Sequence, residues 1–123
     1  MATELMRFAL EKTMNKTDTK LLELAAKACH WNLEYDDDEE LSYIVWGDDN
    51  VPMYDWNPLT DDGDALRLAV KLEIDIRFYT ESEEAWVETA AYGGNADELL
   101  APDPYTATRR AIVCAAAEIG RTM

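Results

Sequence analysis

Two pairs of short segments in which apolar and polar residues alternate, separated by one helical stretch, constrain the fold of this chain most strongly. The first pair covers residues 31–35 and 41–46, and the second covers residues 74–79 and 85–92. Such alternation is typical of strands that bury one face. Paired strands with helices between them predict an α+β domain, in which helices pack on one antiparallel or mixed sheet of about four strands.

Helical periodicity fills most of the remaining chain. Apolar residues recur on one face in each of these segments, which gives the element order αα-ββ-α-ββ-α. The predicted helices cover residues 3–14, 18–29, 60–72 and 103–119.

The expected helix boundaries follow from capping residues. Thr60 is expected to cap the third helix, and Gly120 is expected to end the last one. Residues 51–59, which contain two prolines, and residues 93–97, which contain two glycines, are expected to be irregular.

The chain is strongly acidic, with 26 Asp and Glu against 11 Lys and Arg and a formal net charge of −15. Such a surface repels phosphate, so direct binding to nucleic acid or to an anionic membrane is not expected. The charge favours a basic partner protein or a metal ion, or serves solubility alone. No apolar run approaches the length of a membrane span, and the first residues do not read as a secretory signal.

The acids are unevenly distributed along the chain. Every charged residue between Ala28 and Leu66 is acidic, and aromatic residues stand among these acids as interface anchors or as core. Trp56 is expected to belong to the core. The alternative for the acids is a solvated surface with no partner. The candidate partner-binding residues are Glu34, Asp36, Asp37, Asp38, Glu39, Glu40, Asp48, Asp49, Asp61 and Asp62.

No residue pattern predicts an enzyme, and no cofactor is expected. Cys29 precedes the single His30, but adjacent residues on a helix point in different directions, so Cys29 is interpreted as packing. Asp36-Asp37-Asp38 and the cluster from Asp61 to Asp64 offer oxygen ligands for Ca²⁺ or Mg²⁺, although neither matches an EF-hand loop. The second cluster is better explained by helix capping.

Two arginines stand where a helix dipole disfavours them. Arg109 and Arg110 lie near the start of the last predicted helix. At least one of them is therefore predicted to contact a carboxylate, with Asp61 and Asp62 as candidates.

Three segments carry a resemblance to a known family. They are Trp56–Leu72 with the string WNPLTDDGDALRLAVKL, Ala107–Gly120 with ATRRAIVCAAAEIG, and Thr19–Ala28 with TKLLELAAKA. The chain resembles the small phage and prophage proteins grouped as the phage ABA-sandwich domain family. The likeness runs from about residue 18 to residue 121. It therefore predicts a single domain over residues 18–123, preceded by a helical extension over residues 1–17.

The resemblance implies a phage-encoded protein of the host bacterial cytoplasm and offers no catalytic residues. Phages gain from blocking host nucleases, and a dense array of carboxylates imitates the charge spacing of duplex DNA. The sequence therefore predicts an inhibitor of a CRISPR effector or restriction enzyme that occupies its basic nucleic-acid-binding surface. The alternative is an accessory protein with a structural or regulatory partner and no mimicry.

Overall fold

A computed structural model describes residues 18–36, 42–81 and 83–123. The expected N-terminal helix over residues 3–14 lies outside these ranges. The described elements, in chain order, are α1 (residues 18–28), β1 (Asn32–Asp36), β2 (Ser42–Trp46), β3 (Pro52–Tyr54), α2 (Asp62–Lys71), β4 (Asp75–Tyr79), β5 (Trp86–Ala91), β6 (Gly94–Leu99) and α3 (Pro104–Arg121). The general α+β class is confirmed, but the four strands are six, in two antiparallel three-stranded sheets rather than one.

The first sheet has the order β1-β2-β3. Its third strand lies within residues 51–59, which were expected to be irregular, so that prediction is wrong for residues 52–54, whereas residues 55–59 are irregular as expected. Pro52 opens β3, where it pairs with Trp46 at the edge of the sheet. Proline is tolerated at the first position of an edge strand because no ladder hydrogen bond is needed there.

The second sheet has the order β4-β5-β6. Residues 93–97 were expected to be a loop, but most of them belong to β6, which pairs along its whole length with β5. Gly93 turns the chain with a φ of 95°. A Cβ on Gly94 would overlap the backbone oxygen of Ala115, so glycine lets β6 start directly against α3.

Helix α3 packs on β5 and β6 and also contacts α2. Thr89 of β5 is fully buried beneath it, and its hydroxyl lies 2.9 Å from the carbonyl oxygen of Ala111. A Cβ on Gly120 would overlap the backbone oxygen of Leu24 in α1. Because α3 continues to Arg121, Gly120 does not end the helix as expected. It lies in the last turn of the helix and permits the close approach of α1.

One core unites α1, the first sheet, α2 and α3. Its fully buried side chains include Leu22, Val45, Leu68 and Val113. Trp56 has no exposed surface, which confirms its expected place in the core.

Candidate partner-binding surfaces

Helix α2 begins with an acidic cluster that is occupied by capping and ion pairing. Its N-cap is Asp61 rather than the expected Thr60, and an Asp61 carboxylate oxygen accepts the backbone N–H of Asp64 at 2.8 Å. The Asp64 carboxylate is nearly buried and accepts the backbone N–H of Asn57 at 3.0 Å and Arg67 Nη2 at 2.7 Å. The interpretation of this cluster as helix capping is confirmed.

Both arginines near the start of α3 contact carboxylates. Arg109 Nη1 lies 2.6 Å from Asp62 Oδ1. Arg110 Nη1 lies 3.3 Å from Asp18 Oδ1, and Arg110 Nε lies 3.8 Å from Glu98 Oε1. The prediction that at least one of these arginines contacts a carboxylate is therefore confirmed, with Asp62 as one of the two named candidates.

The turn between β2 and β3 carries two of the predicted acids. Asp48 accepts two hydrogen bonds from Lys71 Nζ, at 2.8 and 3.1 Å, and one from Trp31 Nε1 at 3.3 Å. The bond from Lys71 and, after it, the bond from Trp31 hold the pKa of the Asp48 carboxyl below its usual value. Asp49 is exposed and adopts a left-handed backbone with φ of 62°, which aspartate tolerates better than most residues.

The remaining predicted acids belong to the first hairpin. Glu34 is exposed in the middle of β1, and Asp36 is the last residue of that strand. Asp37, Asp38, Glu39 and Glu40 lie outside the described residues.

The predicted acids do not share one end of the first sheet. Because β1 and β2 are antiparallel, Asp36 lies at one end of the hairpin and the turn with Asp48 lies at the other. The start of α2 lies toward the end with Asp36, because the backbone N–H of Trp56 bonds the carbonyl of Tyr43 and the next residue bonds Asp64.

Almost all bases in the described ranges are engaged with other residues of the chain. Of the lysines and arginines in the described ranges, every one except Arg77 forms an ion pair or hydrogen bond with another residue. Several exposed or half-exposed carboxylates in the same ranges form no ion pair, although Glu88 accepts a hydrogen bond from Tyr79. Eight of them are called the unopposed acids below: Glu34, Asp49, Glu73, Asp75, Glu81, Glu83, Glu88 and Asp97.

The outer face of the second sheet concentrates several unopposed acids. Residues that pair directly across strands share a face, so Arg77, Glu88 and Asp97 form one row. The next row consists of Tyr79, Trp86 and Leu99, of which Leu99 is 58% exposed. The opposite face carries Val87 and Thr89 toward α3.

Sequence reasoning missed this aromatic row. Tyr79 and Trp86 stack with ring centroids 4.2 Å apart and an angle of 9° between their planes. The signal was present, because an aromatic residue stands at each facing end of the second predicted hairpin.

A second surface is an apolar groove of about 500 Å³ between α2 and the first sheet. Its wall includes Met53, Val51, Leu66 and Val70, of which the last three are each more than half exposed. Exposed apolar patches rimmed by polar residues are typical of protein interfaces.

Cys29 is a buried packing residue. Cys29 is 2% exposed, which confirms its interpretation as packing. Burial raises the pKa of its thiol from 9.0 to about 12, so the nucleophilic thiolate is absent at neutral pH. Within residues 18–36, 42–81 and 83–123, no group of His, Cys, Asp and Glu side chains is arranged to hold a metal ion.

Comparison with models of known protein families, with curated proteins and with solved structures gives no match for this chain. The resemblance to phage ABA-sandwich proteins therefore stays a prediction. None of the helices in the described part of the chain has the length and apolarity needed to cross a membrane.

Proposed function

We propose that this chain is a non-catalytic, phage-encoded binding protein that occupies a basic nucleic-acid-binding surface on a host defence complex in the bacterial cytoplasm. A CRISPR effector or a restriction enzyme is the expected target. The protein competes with DNA for that surface and does not bind nucleic acid itself.

The observation that supports this proposal is the pairing of charges. Because the described bases other than Arg77 are engaged within the chain, they do not offset the carboxylates that face solvent elsewhere. Of the predicted contact acids, Glu34 and Asp49 are unopposed, whereas Asp48 and Asp62 are neutralised by Lys71 and Arg109. The proposal therefore places the contact on the unopposed acids.

Inhibition of DNA cleavage tests this proposal. The purified chain is titrated into a set of purified CRISPR effectors and restriction endonucleases, and cleavage of a short duplex is followed. We expect inhibition of at least one nuclease. It should weaken as salt rises and as unlabelled DNA is added, since both compete for the same basic surface.

Two double variants with equal changes of net charge provide the matched control. Glu34→Gln with Asp97→Asn removes two unopposed acids, and inhibition should weaken on the order of tenfold because each exposed ion pair contributes up to about 1 kcal/mol. Asp62→Asn with Glu118→Gln removes two acids that already have partners in Arg109 and Arg121, and inhibition should change little. Equal effects of the two variants, or no inhibition of any nuclease, would contradict the proposal.

The apolar groove supports a second candidate function, that of an accessory protein with a structural or regulatory partner. Leu66 and Val70 expose 61% and 69% of their surface on α2. A partner held by this groove would resist salt, because burial of apolar area does not depend on ionic screening. Val70→Glu would abolish such binding and leave nuclease inhibition intact.

A further inference from the structure

A cavity of about 450 Å³ lies at the end of the second sheet where β4 ends and β5 begins. Phe78, Tyr79, Thr80, Glu81 and Trp86 line it. Its volume is within the range of ordinary small-ligand pockets, and its wall combines aromatic rings with a carboxylate.

The aromatic wall presents a ring face to solvent. One face of Tyr79 is stacked on Trp86 of the neighbouring strand. Because β4 is the edge strand of its sheet, no further strand among residues 18–36, 42–81 and 83–123 covers the other face of this ring. Tyr79 is 37% exposed.

The electrostatics of the cavity favour a cation. The Tyr79 hydroxyl donates a 2.8 Å hydrogen bond to Glu88 Oε2, so a carboxylate lies at the edge of a ring whose face attracts cations. Glu81 lines the cavity, and the exposed Glu83 and Glu84 follow it in the chain before β5; these three are called the rim glutamates below. On this face of the sheet, Arg77 is the one base among the described residues.

We propose that this cavity binds an arginine side chain of a partner protein, with the guanidinium stacked on Tyr79 and paired with the carboxylates beside it. The proposal rests on the proposed function for the basic character of the partner, and it adds the site and the residue type. A guanidinium fits better than an ammonium because it is planar, stacks on aromatic rings and is more weakly hydrated.

Two other occupants fit the cavity less well. A nucleobase would stack on Tyr79, but its phosphates would meet the rim glutamates and be repelled. A second copy of this chain would offer Arg77, because the other arginines of the described ranges are engaged in ion pairs. It would also bring a net charge of −15 against the same glutamates, and this repulsion disfavours it.

The test is a titration of the full-length, ¹⁵N-labelled chain with a short peptide of alternating arginine and glycine, followed by NMR. The control peptide has lysine in place of arginine. We expect saturable shifts of the Trp86 indole N–H and of the amides around Tyr79, with the lysine peptide binding several-fold more weakly. Tyr79→Leu should weaken arginine-peptide binding by about 2- to 5-fold, and Tyr79→Phe should retain most of it.

Two carboxylate variants separate the site from general charge attraction. Glu81→Gln and Asp97→Asn remove one charge each from the same sheet, but only Glu81 lines the cavity. Glu81→Gln should weaken binding by about 2- to 5-fold and Asp97→Asn by much less, because salt screens distant charges. Equal effects of these variants, or equal affinities for the two peptides, would overturn the proposal. If the arginine peptide does not bind at the Tyr79 cavity but the chain still inhibits a nuclease, this inference alone is refuted. If the peptide binds there but no nuclease is inhibited, the proposed target alone is refuted.

Discussion

Replacing Gly120 with alanine sets two physical effects against each other. In the interior of a helix, alanine is favoured over glycine by about 1 kcal/mol. The added Cβ, however, would overlap the backbone oxygen of Leu24 and lie 2.8 Å from its carbonyl carbon. These are backbone atoms of α1, so the conflict is relieved only if the two helices move apart.

Separating packed helices costs more than the gain in helix propensity. Overpacking of a core costs about 1–3 kcal/mol and occasionally more. Because the conflict is with backbone atoms, the cost should lie in the upper half of this range, at about 2–3 kcal/mol. After the gain in propensity is subtracted, we expect Gly120→Ala to lower the free energy of unfolding by about 1–2 kcal/mol. For a domain of this size the corresponding fall in Tm is on the order of 5–10 °C.

Urea unfolding followed by circular dichroism measures this change, with Gly63→Ala as the matched control. A Cβ on Gly63 would meet only the ends of flexible side chains, Asp61 Oδ2 at 3.2 Å and Arg67 Nη2 at 3.3 Å. These atoms also make the N-cap and the Arg67–Asp64 ion pair, but they can shift by a few tenths of an ångström, so Gly63→Ala should change the free energy of unfolding by less than about 1 kcal/mol in either direction. A Gly120→Ala protein as stable as its parent would refute the close approach of α1 and α3.

Three further changes probe the core and the ion pairs. The pKa of the Cys29 thiol is about 12 in the folded protein and 9.0 in its ordinary state, so the folded protein holds this proton more tightly. The free energy of unfolding should therefore fall by about 1.4 kcal/mol per pH unit between these two values. Cys29→Ala should flatten this part of the pH profile measured by urea unfolding. Lys71→Met should raise the pKa of the Asp48 carboxyl, read by NMR titration, and an unchanged value would show that the ion pair does not form in solution. Thr89→Val should lower the free energy of unfolding by about 1–2 kcal/mol in urea, because it removes the buried hydroxyl that lies 2.9 Å from the Ala111 carbonyl oxygen and 3.0 Å from the Ala96 carbonyl oxygen. A neutral effect would contradict a hydrogen bond from this hydroxyl.

Local patterns predicted the elements whose sequence signal agrees with their structure. Helix α2 and strands β4 and β5 lie close to their expected places because one period dominates each segment. The two missed strands have weak signals of their own. Pro52 opens β3, and a proline in a short segment predicts irregular structure rather than a strand. The glycine at the start of β6 predicts a loop, but it is needed there for close packing against α3.

The end of α3 was also mispredicted because of a glycine that serves packing. In the sequence, Gly120 predicts the end of a helix. In the structure, glycine is needed at this position because the backbone of Leu24, which is distant in the chain, lies against it. Tertiary packing thus decides the meaning of a glycine, and no window of local sequence contains that information.

The candidate contact surface was predicted only in part. Composition alone identified the excess of acids, and helix electrostatics predicted a carboxylate partner for Arg109. The separation of Asp48 from Asp36 and from the start of α2 depends on strand direction, which local patterns did not specify. The stacking of Tyr79 on Trp86 depends on strand register.

The two glycine contacts of α3 also bear on how motion spreads through the protein. Gly94 brings β6 against Ala115, and Gly120 brings α1 against the next turns of the same helix. Neither neighbour can slide along α3 without steric conflict, so α1, α3 and β6 should open together. Amide protons in this part of α3 are then expected to exchange with solvent only through global unfolding. A partner bound on the outer face of the second sheet would slow exchange throughout this unit and leave the relative placement of its parts unchanged.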